Sequence, residues 1–328
     1  MDRKTKSILI GSGIAAAGIG AAGAAHRAVT KFLVNVALDR EVPKHAAVSE
    51  QKLAGAAVVD AEMLRRLDEA GKVLENSGCQ TVEITAQDGT LLVGHWQKHE
   101  DAKRVIVAMH GWRSSWAHDF GLVAPFWQAN GCSVLYAEQR GQGGSGGEYM
   151  GFGLTERHDC LDWVRWVNEQ TEKKLPVYLM GVSMGASTVL MAASLDLPEN
   201  VCGIAADCGY TSPCAIWKHV AQNNLGISYG LYSAAASDLC KKKIRMGPDD
   251  YSCVDAMKEC KVPVLFVHGT DDHFVPIEMT FENYKACTAP KRLLVVPGAE
   301  HGMSYLTDQE GYEAAIRQFW EDCDRTFD

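Results

Sequence analysis

The 328-residue chain contains no C-x-x-C pair and no H-E-x-x-H sequence. A zinc ribbon, a thioredoxin-like redox motif and a zincin metal centre are therefore not indicated, and neither metal nor cofactor is expected. An excess of basic charge is missing too. The 32 Lys and Arg against 41 Asp and Glu leave a net charge of −9, which argues against a nucleic-acid partner. No internal repeat and no low-complexity linker stand out beyond the N-terminal segment. Hydrophobic residues make up 47 % and charged residues 22 %, an ordinary globular balance. Cysteine, by contrast, is plentiful at 11 residues. Cys79, Cys132, Cys160 and Cys202 sit inside apolar runs, where a thiol behaves as a small hydrophobe. Most of the cysteines read as buried thiols of a reducing setting.

Long apolar runs are also scarce. One, Ile8 to Ala25, follows Arg3, Lys4 and Lys6 and carries no charge over eighteen residues. That is near the minimum for a spanning helix, although it is rich in Gly and Ala and only weakly hydrophobic. Residues 1–40 are accordingly expected to be a membrane anchor, with the protein membrane-associated through residues 8–25. The alternatives are a signal segment cleaved near Ala22-Gly23-Ala24 with secretion, or a cytoplasmic protein. Arg27 and Lys31 follow the run, so charge does not set an orientation. Gly11-Ser12-Gly13-Ile14-Ala15-Ala16 matches the dinucleotide-binding fingerprint. Only Ile8 to Ile10 precede it as a strand, however, and no βα unit follows before residue 79, so that reading fails. Residues 41–78 read as a linker holding an amphipathic helix over Glu62–Leu74.

From residue 79 to 328 short Val/Ile/Leu-rich runs alternate with helical patterns, the signature of an α/β sheet. Gln80–Ala86 and Leu91–Trp96 flank Asp88-Gly89, a hairpin signal. Six more strands follow: Arg104–Met109, Ser133–Ala137, Pro176–Met180, Val201–Ala206, Val262–Val267 and Arg292–Val296. Helices are expected over Ala117–Asn130, Leu154–Glu172, Ala186–Ser194, Ile277–Ala286 and Gln309–Asp324. Residues 210–261 break the alternation and read as a helical cap over the carboxyl ends of the strands, where such sheets hold ligands. The cap's apolar residues between Ile216 and Tyr232, Leu231 among them, fit either an acyl pocket or the cap's own core.

The pattern G-x-S-x-G occurs around Ser145, Ser183 and Ser228. Its mechanics require a strand, a strained turn presenting the serine, and a helix, with flanking glycines that let helix and strand approach. Ser145 lies in a glycine-rich loop with no helix directly after it, and Ser228 follows polar Gln222-Asn223-Asn224. Ser183 follows Val177 to Met180 and precedes a helix rich in small residues, so it is the expected nucleophile. Gly141 to Gly146 fits G-x-G-x-x-G but opens no helix. It reads as a loop.

A serine hydroxyl needs a base to take its proton, and after such an elbow the acid and then the histidine follow in chain order. His219 falls in the cap and His268 ends a strand. His301 sits in the loop past the last strand, at the same edge as the serine, and is the expected base. For the acid, Asp271, Asp272 and Asp207 remain open on position alone. The oxyanion donors are expected to be the backbone N–H groups of Met184, after the nucleophile, and of Trp112, in the loop after the third strand.

His110-Gly111-Trp112, Gly181-Val182-Ser183-Met184-Gly185, His268-Gly269-x-x-Asp272-x-x-Val275-Pro276 and Gly298-Ala299-Glu300-His301-Gly302 together resemble the α/β-hydrolases. The likeness is in particular to bacterial, N-terminally anchored serine esterase or peptidase-like members related to the prolyl oligopeptidase catalytic domain. It implies a mostly parallel eight-stranded sheet with helices on both faces and a helical cap insertion, and it puts the acid on Asp272. Glu138-Gln139-Arg140-Gly141-Gln142-Gly143-Gly144-Ser145 departs from the family's D-x-R-G-H-G-x-S, with Glu for Asp and Gln for His. Arg140 is expected to tie that loop to its neighbours. The activity expected is a carboxylesterase on small to medium acyl esters, with a short-peptide or aminoacyl hydrolase, an acyltransferase and a non-catalytic binding protein as alternatives.

Overall fold

A computed structural model describes residues 23–41 and 61–324. β-Branched and aliphatic runs form eight strands: β1 (Gln80–Thr85), β2 (Leu91–Gln97), β3 (Arg104–Met109), β4 (Cys132–Ala137), β5 (Val177–Val182), β6 (Val201–Asp207), β7 (Val264–Gly269) and β8 (Lys291–Val296). They make one sheet in the order β1-β2-β4-β3-β5-β6-β7-β8. β2 pairs antiparallel with both β1 and β4, and every pairing from β4 to β8 is parallel. Alternation along β3 shows why its residues are apolar on both sides. Val105, Val107 and Met109 join one core with Trp163 and Leu190, while Ile106 and Ala108 join the other with Phe120 and Trp320. A strand covered on both faces has no solvent side to make polar. The fold is the α/β-hydrolase fold that the resemblance implied.

One expected helix is broken. Ala117–Asn130 divides into Trp116–Phe120 and Ala124–Ala129. Pro125 has no N–H to give and its ring crowds the carbonyl four residues back, at Gly121. Gly121 also lies under the Ala61–Glu75 helix so tightly that a Cβ there would stand 2.5 Å from the Ala70 carbonyl carbon.

Between β6 and β7 run the helix Pro213–His219, a π-helical turn at Val220–Asn224, and the helices Tyr229–Ile244 and Cys253–Glu259. Cys253, Ala256 and Met257 are buried in the core shared with the sheet. Ile216, Ala236 and Cys240 instead belong to a third apolar cluster above the strands' carboxyl ends. All eleven cysteines are free thiols, nine of them buried.

The membrane expectation is overturned. Among the described residues no helix is long and apolar enough to cross a membrane. Most of the run at residues 8–25 lies outside the described residues, as does the Gly11–Ala16 fingerprint. Its last three residues begin a helix over residues 23–38. That helix does not present an apolar cylinder to lipid. Val34 and Leu38 are buried in the third cluster beside Phe152, Met184 and Tyr210. Glycine and alanine make a run uncharged without making it strongly apolar, and the periodicity of the following residues serves packing against the protein.

Candidate active site

Ser183 sits at the corner between β5 and the helix Met184–Ala192, with φ 56° and ψ −117°. A non-glycine residue in this conformation is strained, and the surrounding packing must hold it. The flanking glycines explain how. A Cβ on Gly181 would stand 2.3 Å from the Gly185 carbonyl carbon, and one on Gly185 would stand 1.8 Å from the Met109 oxygen. The Ser183 N–H is held by the Asp207 carbonyl at 2.9 Å.

His301, from the loop after β8, brings Nε2 to 2.8 Å from Ser183 Oγ. Its Nδ1 lies 2.7 Å from Asp272 Oδ2. Asp272, in the loop after β7, is fully anchored: its Oδ1 accepts the N–H groups of Phe274 at 2.9 Å and Val275 at 2.8 Å. Burial alone would raise this carboxyl, but the charge of His301 and hydrogen bonds from His268 and His301 hold it well below the usual carboxylate range. Burial works against charge on the His301 ring as well. Asp272 outweighs it, and the imidazole is held above the 6.5 of free histidine. Phe274 covers the ring edge-on at a centroid distance of 5.0 Å.

The loop after β3 passes directly beside the serine, since a Cβ on Gly111 would stand 3.4 Å from Ser183 Cβ. Gly111 N–H donates to Asp119 Oδ2 at 2.7 Å and Arg113 N–H to Gln142 Oε1 at 2.6 Å. Between them, no acceptor for the Trp112 N–H is found among the described residues. Met184 opens its helix, where an N–H has no carbonyl four residues back. The departing loop is built into the same structure. Gln142 holds Arg113, Gln139 N–H donates to His110 Nε2 at 3.1 Å, and Arg140 bridges Asp159 and Asp88.

The rejected candidates have other duties. Ser145 is buried, its Oγ accepting from Val93 N–H at 2.8 Å and donating to the Glu138 carbonyl at 2.5 Å. Ser228 is exposed before the Tyr229–Ile244 helix. Asp271 points outward and takes the Thr270 hydroxyl. Asp207, pushed up to about 6 by burial, accepts from Ser304 Oγ at 2.8 Å. His219 is bonded to Asn223 in the cap.

Two neighbours escaped sequence reading. His268 donates from Nε2 to the Val275 carbonyl at 2.8 Å and lies 3.1 Å from Asp272 Oδ2, so it steadies the acid from behind. Its position at the end of β7 was legible, but its direction was not. Cys208 follows β6, and its buried thiol, pushed by burial up to about 11, reaches the same imidazole.

Ser183 forms part of the wall of a cavity of about 910 Å³, measured out to its open mouth. Trp112, Phe152, Tyr210, Trp217 and Phe274 supply its aromatic lining, and none of the described residues lining it carries a charge. Eight of the nine apolar cap residues from Ile216 to Tyr232 line it. Leu231 is 71 % exposed and faces elsewhere.

The strand order, the serine elbow and the imidazole between serine and carboxylate define a serine hydrolase of the α/β-hydrolase superfamily. More narrowly, the sequence profile of the X-Pro dipeptidyl-peptidase (S15) family matches residues 80–251, just over half the chain, and the protein belongs to that family. The match includes Ser183 and stops before Asp272 and His301. The uncharacterised protein YqkD of Bacillus subtilis is 26 % identical over 240 residues, 72 % of this chain and 77 % of YqkD. Among solved structures, the Pyrococcus furiosus esterase Pf2001 is similar with a TM-score of 0.61 and 24 % identity, over 76 % of this chain and 95 % of the esterase. The acylaminoacyl peptidase of Pyrococcus horikoshii is similar at a TM-score of 0.56 and 15 % identity, over 77 % of this chain but 43 % of the peptidase.

Proposed function

We propose that the protein is a carboxylic ester hydrolase acting on esters with an apolar acyl group, and that Ser183, His301 and Asp272 are its catalytic triad. The carrying observation is the apolar cavity whose wall includes Ser183 and whose described lining residues carry no charge. In the first half-reaction Ser183 Oγ attacks the ester carbonyl carbon while its proton passes to His301 Nε2. Asp272 keeps Nδ1–H oriented and stabilises the imidazolium without taking the proton. The backbone N–H groups of Trp112 and Met184 receive the oxyanion. Collapse expels the alcohol, which takes the proton from His301 and leaves an acyl-serine. Water, deprotonated by the same imidazole, then releases the carboxylic acid.

Electrostatics favours an ester over the substrate in the family's description. A dipeptidyl peptidase holds a free amino terminus, and an ammonium taken from water needs a charged partner. Among the described residues, the cavity lining offers none. A fluorophosphonate probe on wild type and Ser183→Ala, followed by p-nitrophenyl esters against aminoacyl and X-Pro anilides, tests the reading. Ser183-dependent labelling with ester turnover well above anilide turnover is expected. Faster anilide cleavage would make the protein a peptidase, and absence of labelling would remove the enzyme reading.

A further inference from the structure

The helix over residues 23–38 lies outside the segment that matches the family and supplies one whole side of the cavity. Thr30, Leu33, Val34, Val36 and Ala37 line it. All but Val36 fall at positions i, i+3, i+4 and i+7, one stripe of a helix. The helix is fastened at both ends. Near its start His26 Nε2 lies 2.7 Å from the Leu231 carbonyl, and its ring stacks on Tyr232 at 4.6 Å, both in the cap helix Tyr229–Ile244. At its end the last carbonyls lack partners within the helix, and the loop after β3 takes them. The Trp112 indole N–H donates to the Ala37 carbonyl at 2.9 Å, and the Arg113 guanidinium donates to the Val36 carbonyl at 2.8 Å and the Asp39 carbonyl at 2.7 Å. Lys243 Nζ, again from the cap helix, pairs with Asp39 Oδ1 at 2.6 Å. The chain continues beside the 143–150 loop through Met150 N–H to the Leu38 carbonyl at 2.7 Å.

We infer that this N-terminal helix is a specificity element: its Thr30–Leu33–Val34–Ala37 stripe forms the acyl-binding wall, and the preferred substrates carry an extended apolar acyl chain whose length that wall sets. The inference rests on the ester-hydrolase reading and goes beyond it. A wall of aliphatic side chains makes no demand on the shape of a chain beyond its width. It rewards each methylene removed from water by about fourfold in kcat/KM, until the chain meets an obstacle. Helix, cap and Trp112 loop are bonded to one another, so this wall stands in fixed relation to the serine.

The test uses the full chain, p-nitrophenyl esters from acetate to decanoate, and the variants Leu33→Trp, Leu33→Ala and Thr30→Phe. Wild-type kcat/KM should climb steeply from acetate to the medium chains. Leu33→Trp and Thr30→Phe should lower the octanoate-to-acetate ratio of kcat/KM at least tenfold. Leu33→Ala should move the optimum toward longer chains. Equal losses on all esters, or an unchanged length profile in variants that label with fluorophosphonate like wild type, would overturn the inference while leaving the hydrolase intact. A series of alkyl acetates responding in place of the acyl series would assign the wall to the alcohol and overturn it also. Failure of wild type to label at Ser183 would instead strike the underlying reading.

Discussion

The floor and the walls of the cavity are held by different physics. At the floor, Ser183, His301 and Asp272 are pinned by backbone: a strained corner, two amide donors on Asp272 Oδ1, and glycines where an added Cβ would force the packing apart. The walls are side chains of a cap and an N-terminal helix, held to each other by one hydrogen bond, one stacked pair and one ion pair, and to the loop after β3 by a few hydrogen bonds. Chemistry that tolerates tenths of an ångström sits where the sheet fixes position. An apolar wall, whose contacts are non-directional, does not need that precision.

The sharpest way to break this contrast is to remove the proposed nucleophile. Ser183→Ala should lower kcat/KM by a factor of about 10⁵ without lowering the thermal midpoint, and adding His301→Ala should cost little more, since members of such a unit are not additive. Residual turnover in the single variant close to wild type would remove Ser183 from the mechanism.

Next comes Asp272→Asn, expected to reduce kcat by about 10⁴. It also tests the electrostatics. His301 must be neutral to accept a proton, and Asp272 raises its affinity for that proton. The acid limb of kcat/KM in wild type should therefore lie above pH 6.5, with activity lost as pH falls through it. In the variant the limb should move to lower pH, and a pH–rate profile that leaves it in place would contradict the coupling.

Gly185→Ala probes the floor's rigidity. Its Cβ would meet the Met109 oxygen at 1.8 Å, so β3 and the Met184–Ala192 helix must move apart. Urea titration should show a loss of about 1–3 kcal/mol, with esters of every length affected alike, in contrast to the wall variants.

The smallest effect is expected at Lys243→Ala. The Lys243–Asp39 pair is only partly shielded from water, and such pairs contribute about 1 kcal/mol or less. High salt should make wild type resemble the variant in thermal midpoint. A large loss would show that the N-terminal helix depends on this ion pair more than on its apolar stripe.

Reading the chain in one dimension went furthest where a local rule had a local cause. β3 is found over the residues expected, Arg104–Met109, because a strand buried on both faces is apolar without interruption. Ile277–Ala286 and Gln309–Asp324 are likewise found at the expected bounds. The expected helix at Ala117–Asn130 is interrupted at Pro125, a break legible in the sequence, and at Gly121, which answers to a helix packed across it that local pattern does not contain. The run at residues 8–25 misled for a related reason. Lack of charge in a Gly/Ala-rich run is not affinity for lipid, and the stripe beginning at Thr30, also present in the sequence, points to an internal partner. Asp271 and Asp272, adjacent in sequence, could not be separated by spacing. One points to solvent and one inward, a difference of a single turn of backbone. His268 and Cys208 were missed because the direction of a side chain at a strand end is set by the neighbouring loop.

By itself the sequence determined the alternation of strands and helices, the glycine-flanked corner at Ser183, and the chain order of serine, carboxylate and imidazole. These depend on short-range sterics and on periodicity, which are written residue by residue. Only the tertiary structure decided that the N-terminal helix joins the cap in enclosing a cavity whose described lining carries no charge, and that Leu231 stays outside it. Each is a contact between segments far apart along the chain, where packing and the exclusion of water choose among arrangements that local pattern leaves equal.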